Sequence, residues 1–409
     1  MAGMDTCVRS NLPRIGIFGT GWTARMLVPI LVDNGFQVTA ICGRKKEAAG
    51  RVGNDLNIPF RTISFQEFLL ASEVDLVCIV SPPHTHAEMA VKALSAGKHV
   101  FCSFPMALTQ SEAEKMVTAA RYYPSLLAMC PNPLRHLPAF VKMKEMISQG
   151  FCGKLMVCEV VVRRGPLVHP KGFTWICDQT MGGGILSTVG SHVIDILMYL
   201  TSERIREVNG QVRTLVRQLP GKVEGFRSID SDDFTTFTLC GDSGLHATVT
   251  LNSHVPNQFS QEMLMIGERG RLIVRGSELF AQASNEQRER LIVRDDSPGG
   301  AQCSSGDDLG MPSLLLRGTE QAVALMRRGF EASPARMQAD RSMVATCSTF
   351  EDGLFVNAVI DAVNDSSASG RLQQIVVGGK ESQRNPFWTS NGGDGDRGSP
   401  MPSSKSALS

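Results

Sequence analysis

Between residue 14 and about residue 130, short β-branched runs alternate with amphipathic helical patterns, the sequence form of βαβ units with a parallel sheet. Strands are expected at Arg14–Phe18, Gln37–Cys42, Leu76–Val80 and His99–Cys102, with helices such as Ala24–Asn34 and Glu88–Ala96 between them. Gly35 and Gly97 follow these helices where a left-handed cap is wanted. Beyond Pro131 the periodicity changes. One long amphipathic helix, Pro138–Gln149, precedes β-rich stretches at Leu155–Arg163, Val208–Val216, Asp233–Leu239, Leu245–Asn252, Glu262–Gly267 and Arg271–Val274. Tight turns such as Cys240-Gly241-Asp242-Ser243-Gly244 join successive strands, which predicts a mostly antiparallel sheet and an α+β domain. Helical patterns return at Leu314–Gly329 and Arg341–Val363, after a Gly/Ser/Asp-rich loop at Ser297–Ser313.

The organisation read from this pattern is a leader over residues 1–13, a doubly wound Rossmann domain over 14–130, and an α+β domain over 131–375. A Gly/Ser/Pro/Asn-rich tail, residues 381–409, is expected to be disordered. A length of 409 residues agrees with two domains, since single cores usually split at roughly 250–300 residues.

Composition narrows the class. The 41 Lys and Arg nearly cancel the 40 Asp and Glu, and no basic block interleaved with aromatics appears, so nucleic acid is not an expected partner. No apolar run reaches the roughly 20 residues of a membrane span. The 11 cysteines are odd in number, scattered in apolar contexts and without a C-x-x-C pair, which reads as free buried thiols in a cytoplasmic, reducing compartment.

The clearest chemistry lies in Gly19-Thr20-Gly21-Trp22-Thr23-Ala24, a G-x-G-x-x-A sequence placed after a strand and at the start of a helix. Gly19 permits the tight turn, Gly21 lets backbone amides approach a pyrophosphate, and Ala24 lets helix and strand pack closely; the helix start favours the anion. The second strand runs into Gly43-Arg44-Lys45-Lys46, with no acid where a ribose 2′-hydroxyl would be held. Gly43 and Arg44 therefore favour NADP, with NAD as the alternative; the same basic cluster also reads as a solvated loop.

Further segments carry a resemblance: Ser81-Pro82-Pro83-His84-Thr85-His86, Ala96-Gly97-Lys98-His99-Val100, Gly182-Gly183-Gly184, Gly190-Ser191-His192-Val193-Ile194-Asp195, and Leu134-Arg135-His136-Leu137-Pro138. Over residues 14–375 the chain resembles the glucose–fructose oxidoreductase / inositol dehydrogenase (Gfo/Idh/MocA) family, and in particular its animal branch of glucose-fructose oxidoreductase domain-containing proteins. The resemblance implies an active site between the two domains, a small sugar- or polyol-like substrate, and a homodimer through the second domain's sheet. It also implies that Pro82 and His86 lie over the nicotinamide or ribose; without it, His86 reads as a helix-capping residue. Arg135 and Trp175 are candidates for substrate contact, or else a surface ion pair and a core aromatic. Asp178 matches the acid that often precedes the glycine triplet, and equally fits a turn cap. No third ligand accompanies His84 and His86, so no metal is expected.

The resemblance also exposes a departure. Active relatives use a Lys in a Glu-Lys-Pro turn, an Asp, and a His four residues later; here Phe104 and Thr188 stand at the first two places and only His192 remains. Neither replacement can serve as an acid or base near neutrality, and losing such a group typically costs about 10²–10⁴ in rate. Two readings follow: an NAD(P)-dependent oxidoreductase reduced to His192 as its base, or a dinucleotide-binding sensor or scaffold without catalysis, in which His192 is a structural helix residue lining a cleft.

Overall fold

The short strand β1 (Ile15–Phe18) is apolar and almost wholly buried, and it delivers the chain into α1 (Trp22–Asp33), β2 (Val38–Cys42), α2 (Lys46–Asp55), β3 (Phe60–Thr62) and α3 (Phe65–Leu70). Next come β4 (Leu76–Ile79), α4 (His86–Ser95), β5 (His99–Cys102), α5 (Gln110–Tyr122) and β6 (Ala128–Met129). The computed structural model describes residues 12–167, 172–220, 225–256, 259–295, 313–333 and 338–378; the expected leader, most of the 297–313 loop and the 381–409 tail lie outside them. All pairs in the first sheet are parallel, in the order β3-β2-β1-β4-β5-β6, so the winding reverses between β1 and β4. A reversal of this kind opens a crevice at the carboxyl ends of the strands, where doubly wound sheets bind ligands. Gly35 and Gly97 take left-handed φ values of 83° and 74° after their helices.

The second sheet follows α6 (Pro138–Ser148), β7 (Leu155–Arg164), α7 (Ser191–Thr201), β8 (Ile205–Arg213), the small hairpin β9 (Gln218–Pro220) and β10 (Phe226–Ser228), β11 (Phe234–Gly241) and β12 (His246–Asn252). It continues through β13 (Phe259–Gly267), β14 (Gly270–Arg275), β15 (Glu278–Ala283) and β16 (Arg290–Arg294). After α8 (Ser313–Ala332) and α9 (Phe350–Ser369), β17 (Gln373–Gln374) closes the edge, in the order β16-β15-β14-β13-β7-β12-β11-β8-β17. Every pair is antiparallel except β7 with β12. On β7 the inward residues Cys158, Val160 and Val162 are buried while Glu159 and Arg163 are exposed, the alternation of a sheet covered on one face.

Two expected boundaries move, for visible reasons. The stretch expected at Val208–Val216 is paired from Ile205 and ends at Arg213, because the Asp233 carboxylate takes the amides of Leu215 and Val216, each at 2.8 Å. The helix expected from Arg341 begins only at Phe350, where Thr349 and Asp352 form a capping box; residues 341–346 are turns. The run Gln179–Thr201 is, among the described residues, long and apolar enough to cross a membrane, but 78% of its most apolar stretch is buried inside the protein, as in a core helix. All described cysteines are free and buried.

The core does not respect residue 130. Ala322, Val323, Met326 and Phe330 of α8 pack into the cluster built on Ile15, Leu27 and Leu31, while Phe350 and Leu354 of α9 join the cluster of Val77, Ile79 and Val100. These late helices fasten the sheet domain to the Rossmann domain, and Thr319 and Ala322 of α8 form part of the cleft wall.

Candidate active site

The cleft begins at the end of β1. Gly19 has φ of 130°, and a Cβ there would lie 2.8 Å from the backbone of Val80, so the turn is open only to glycine. Its amide bonds Cys42 O at 2.9 Å and Val80 N bonds Phe18 O at 2.9 Å, which ties the ends of β1, β2 and β4 together. Gly21 is the residue before α1, the helix has no side-chain cap, and a Cβ on Gly21 would meet nothing within 4 Å. Uncapped amides, the positive helix end and the space left by a missing side chain fit a pyrophosphate. Thr20, Trp22 and Thr23 line the same wall; Ala24 is fully buried behind it and serves the packing of α1 on the sheet.

The floor at the second strand is Cys42, Gly43 and Arg44. A Cβ at residue 43 would lie 2.4 Å from Thr20 Cγ2, so the position that would carry a ribose-binding acid has no room for one as built. Arg44, Lys45 and Lys46 are exposed beside it.

The cleft encloses about 350 Å³ and runs from this turn to the second domain, past Pro82, Phe104, Pro131, Trp175, Thr188 and His192. The π-helical turn Leu186–Gly190 leads directly into α7 and carries Thr188 and His192 on the face toward the cleft. The preceding glycines fix that turn. Gly184 has φ of 100°, and a Cβ there would lie 1.9 Å from Asp232 Oδ1. Asp232 accepts from Leu186 N at 2.9 Å and from Thr235 Oγ1 at 2.6 Å, and burial pushes its carboxyl up to about 6. Asp178 accepts from Thr180 N at 2.9 Å and is a turn cap.

At the opposite end of the cleft Phe104 and His192 lie ring against ring, with centroids 5.2 Å apart and planes tilted by 30°. Thr188 Oγ1 donates to Gly184 O at 2.6 Å. Burial lowers His192 to about 4, so the imidazole is neutral at pH 7, and its Nδ1 is 3.0 Å from Asn132 Oδ1.

Two expected site residues lie elsewhere. His86 is fully buried, with its ring nitrogens 2.6 Å from Ser81 O and 3.0 Å from Pro105 O; it braces the Ser81–Pro83 loop against the turn that carries Phe104 and does not line the cleft. Arg135 is buried beneath the cleft and grips Asp195 with two bonds of 2.8 and 2.6 Å, with Asp352 at 3.5 Å and the Tyr199 ring 4.6 Å below. With Nε and Nη2 committed to these carboxylates and the side chain outside the cleft lining, Arg135 is a buried brace and not a substrate contact. Sequence reasoning missed Pro131, Pro133, Arg164, Leu167, Thr319 and Ala322, which line the cleft, and Asn132 behind it. Thr319 belongs to a stretch where one signal existed: Gly318 packs so closely on the Pro133 carbonyl that a Cβ would lie 2.1 Å from it.

Comparison with known proteins matches residues 13–129 to the model "Oxidoreductase family, NAD-binding Rossmann fold" and residues 140–273 to "GFO/IDH/MocA C-terminal domain". The chain is 40% identical over 366 residues to human glucose-fructose oxidoreductase domain-containing protein 2, covering 90% of this chain and 94% of the relative. Among solved structures, a levoglucosan dehydrogenase in complex with NADH and L-sorbose has a TM-score of 0.73 at 19% identity, over 89% of this chain and 99% of that one. A super-repressor mutant of Gal80p from Saccharomyces cerevisiae has a TM-score of 0.70 at 18% identity, over 89% and 97%.

Proposed function

This chain belongs to the GFO/IDH/MocA oxidoreductase family with an NAD-binding Rossmann fold, and from that premise we propose that it holds NADP in the cleft and oxidises or reduces a small sugar- or polyol-like substrate only through His192. The observation that carries this reading is the contrast within one cleft, an uncapped Gly-x-Gly turn at one end and Phe104 and Thr188 at the other. Gly19 to Thr23 would hold the pyrophosphate, Gly43 and Arg44 the adenosine ribose with its 2′-phosphate, and Pro82 the nicotinamide end. NADP is preferred to NAD because residue 43 has no room for an acid and Arg44 stands exposed next to it. When bound, the nicotinamide supplies the hydride acceptor or donor.

The chain's own residues then do little. Trp175 and Phe104 offer apolar faces that exclude water, and His192 offers a neutral imidazole to the substrate hydroxyl. A base held near 4 is far from the working pH, which weakens proton abstraction further. A panel of sugars and polyols followed by NADPH absorbance tests the reading. Turnover about 10²–10⁴ below that of relatives with both Lys and Asp, and abolished in His192→Ala, is expected; a fast reaction untouched by His192→Ala overturns it.

One observation favours a second reading, a dinucleotide-binding sensor or scaffold without catalysis: Phe104 packs on the ring that would have to act. No turnover with the whole panel, alongside retained NADPH binding, selects it. We also propose a homodimer through the outer sheet face, where Val157, Val161, Leu264 and Ile266 are only half-buried, and a reducing compartment, which the free cysteines support. Sedimentation of the wild type against Leu264→Lys checks the dimer.

A further inference from the structure

Asn132 is fully buried immediately behind His192, between the two halves of the molecule. Its Nδ2 donates to Asp195 Oδ2 at 2.7 Å and to the His192 carbonyl at 2.9 Å. Both partners are acceptors only, so both amide protons are committed. Its Oδ1 accepts from Leu134 N at 3.1 Å, a group that can only donate. The orientation of the amide is therefore dictated from both ends, and the oxygen is what faces His192 Nδ1 at 3.0 Å. Asp195 is held in turn by Arg135, and Ser348 Oγ accepts from Asn132 N at 3.2 Å while donating to Asp195 Oδ2 at 3.4 Å.

We infer that Asn132 is a positioning residue that locks His192 as the Nδ1–H tautomer, so that Nε2 confronts the cleft as a bare hydrogen-bond acceptor. Since Asn132 Oδ1 can only accept, Nδ1 must carry the proton; in a neutral ring the lone pair then falls on Nε2. Burial keeps the ring neutral, so only one of its two nitrogens carries a proton. The ligand that binds at this end must therefore bring a hydroxyl or N–H to His192, and a ligand with only carbonyl or ether oxygens is disfavoured there. Asn132 does not line the cleft, and acts only through the ring. The inference deepens the reading of the cleft as a ligand site and rests on it for what the tautomer is for, but the tautomer itself is independent of any dinucleotide.

Long-range ¹H–¹⁵N correlation spectra of the full-length, ligand-free protein test it, with His192 assigned by the signal lost in His192→Gln. A protonated Nδ1 and an unprotonated Nε2 at pH 7 are expected; a protonated Nε2 overturns the inference. In Asn132→Leu the lock should be lost and a proton should appear on Nε2 in a share of the molecules. An unchanged tautomer in that variant, in a protein that still melts cooperatively, removes Asn132 from the role. If Asn132→Leu does not fold, the wild-type spectrum decides alone. NADPH binding is measured separately by thermal shift, so absence of binding alongside the expected tautomer refutes the cofactor reading and leaves the tautomer lock standing.

Discussion

The two ends of the cleft obey different rules. At the dinucleotide end each residue is what the ligand chemistry requires: Gly19 at a φ closed to other residues, Gly21 facing open space, and a helix start with no cap of its own. At the His192 end the backbone scaffold is held as closely, but the side chains it presents are different in kind. Gly184, Asp232 and Asn132 still hold the turn that presents Thr188 and His192, yet the ionisable partners expected around His192 are Phe104 and a threonine that donates to its own backbone. Geometry and reactivity are thus separable in this fold. A wall built from backbone amides persists as long as the glycines do, whereas proton transfer depends on one or two side chains that can be exchanged without disturbing the packing.

Four perturbations break or sharpen this contrast. The largest acts beneath the His192 end. Arg135→Leu leaves Asp195 and Asp352 buried without their cation, and a loss of about 3–5 kcal/mol in chemical denaturation is expected. Next, Phe104→Lys combined with Thr188→Asp should raise turnover on the sugar and polyol panel by roughly 10²-fold or more if only the acid–base groups are missing; silence with NADPH binding intact would show that the substrate wall has changed as well.

The third concerns acid. His192 has a folded value of about 4, below its usual 6.5, so between those values the unfolded chain binds the proton more readily and stability falls as pH drops. His192→Gln should therefore lose about 2 kcal/mol less than wild type between pH 7 and pH 5, measured by denaturation at each pH. Asp232 shifts the opposite way in both proteins and cancels in the difference. The smallest effect belongs to Arg44→Ala, which should weaken NADPH by roughly fivefold, about 1 kcal/mol, and leave NADH unchanged in a fluorescence titration. Equal weakening of both would return Arg44 to the solvated loop.

The parts of this architecture that repeat a period or a turn rule were legible in the sequence. β1, β2, β4 and β5, the Gly-x-Gly turn and the caps at Gly35 and Gly97 follow from local pattern, and β7, β12 and β14 from alternation. What escaped depends on contacts distant in sequence. The start of α9 was set by a capping box inside a run that looked helical, and the end of β8 by a carboxylate some 20 residues away. At the site the same distinction holds. Gly19, Gly21 and Gly43, singled out for their backbone position, line the cleft, while His86 and Arg135, polar residues in suggestive motifs, are braces satisfied inside the protein. Asn132 had no signal of its own, because its role exists only once Asp195, Leu134 and His192 surround it.

The central proposal is that the chain binds a dinucleotide at the Gly19–Thr23 turn while Phe104 and Thr188 occupy the other end of the cleft, and a thermal-shift titration of the wild-type chain with NADPH and NADH addresses it most directly. At 100 times its dissociation constant a ligand adds about 2.7 kcal/mol, so a saturable rise in melting temperature is expected with NADPH, larger than with NADH at equal concentration. A melting temperature unmoved by either nucleotide would contradict the account.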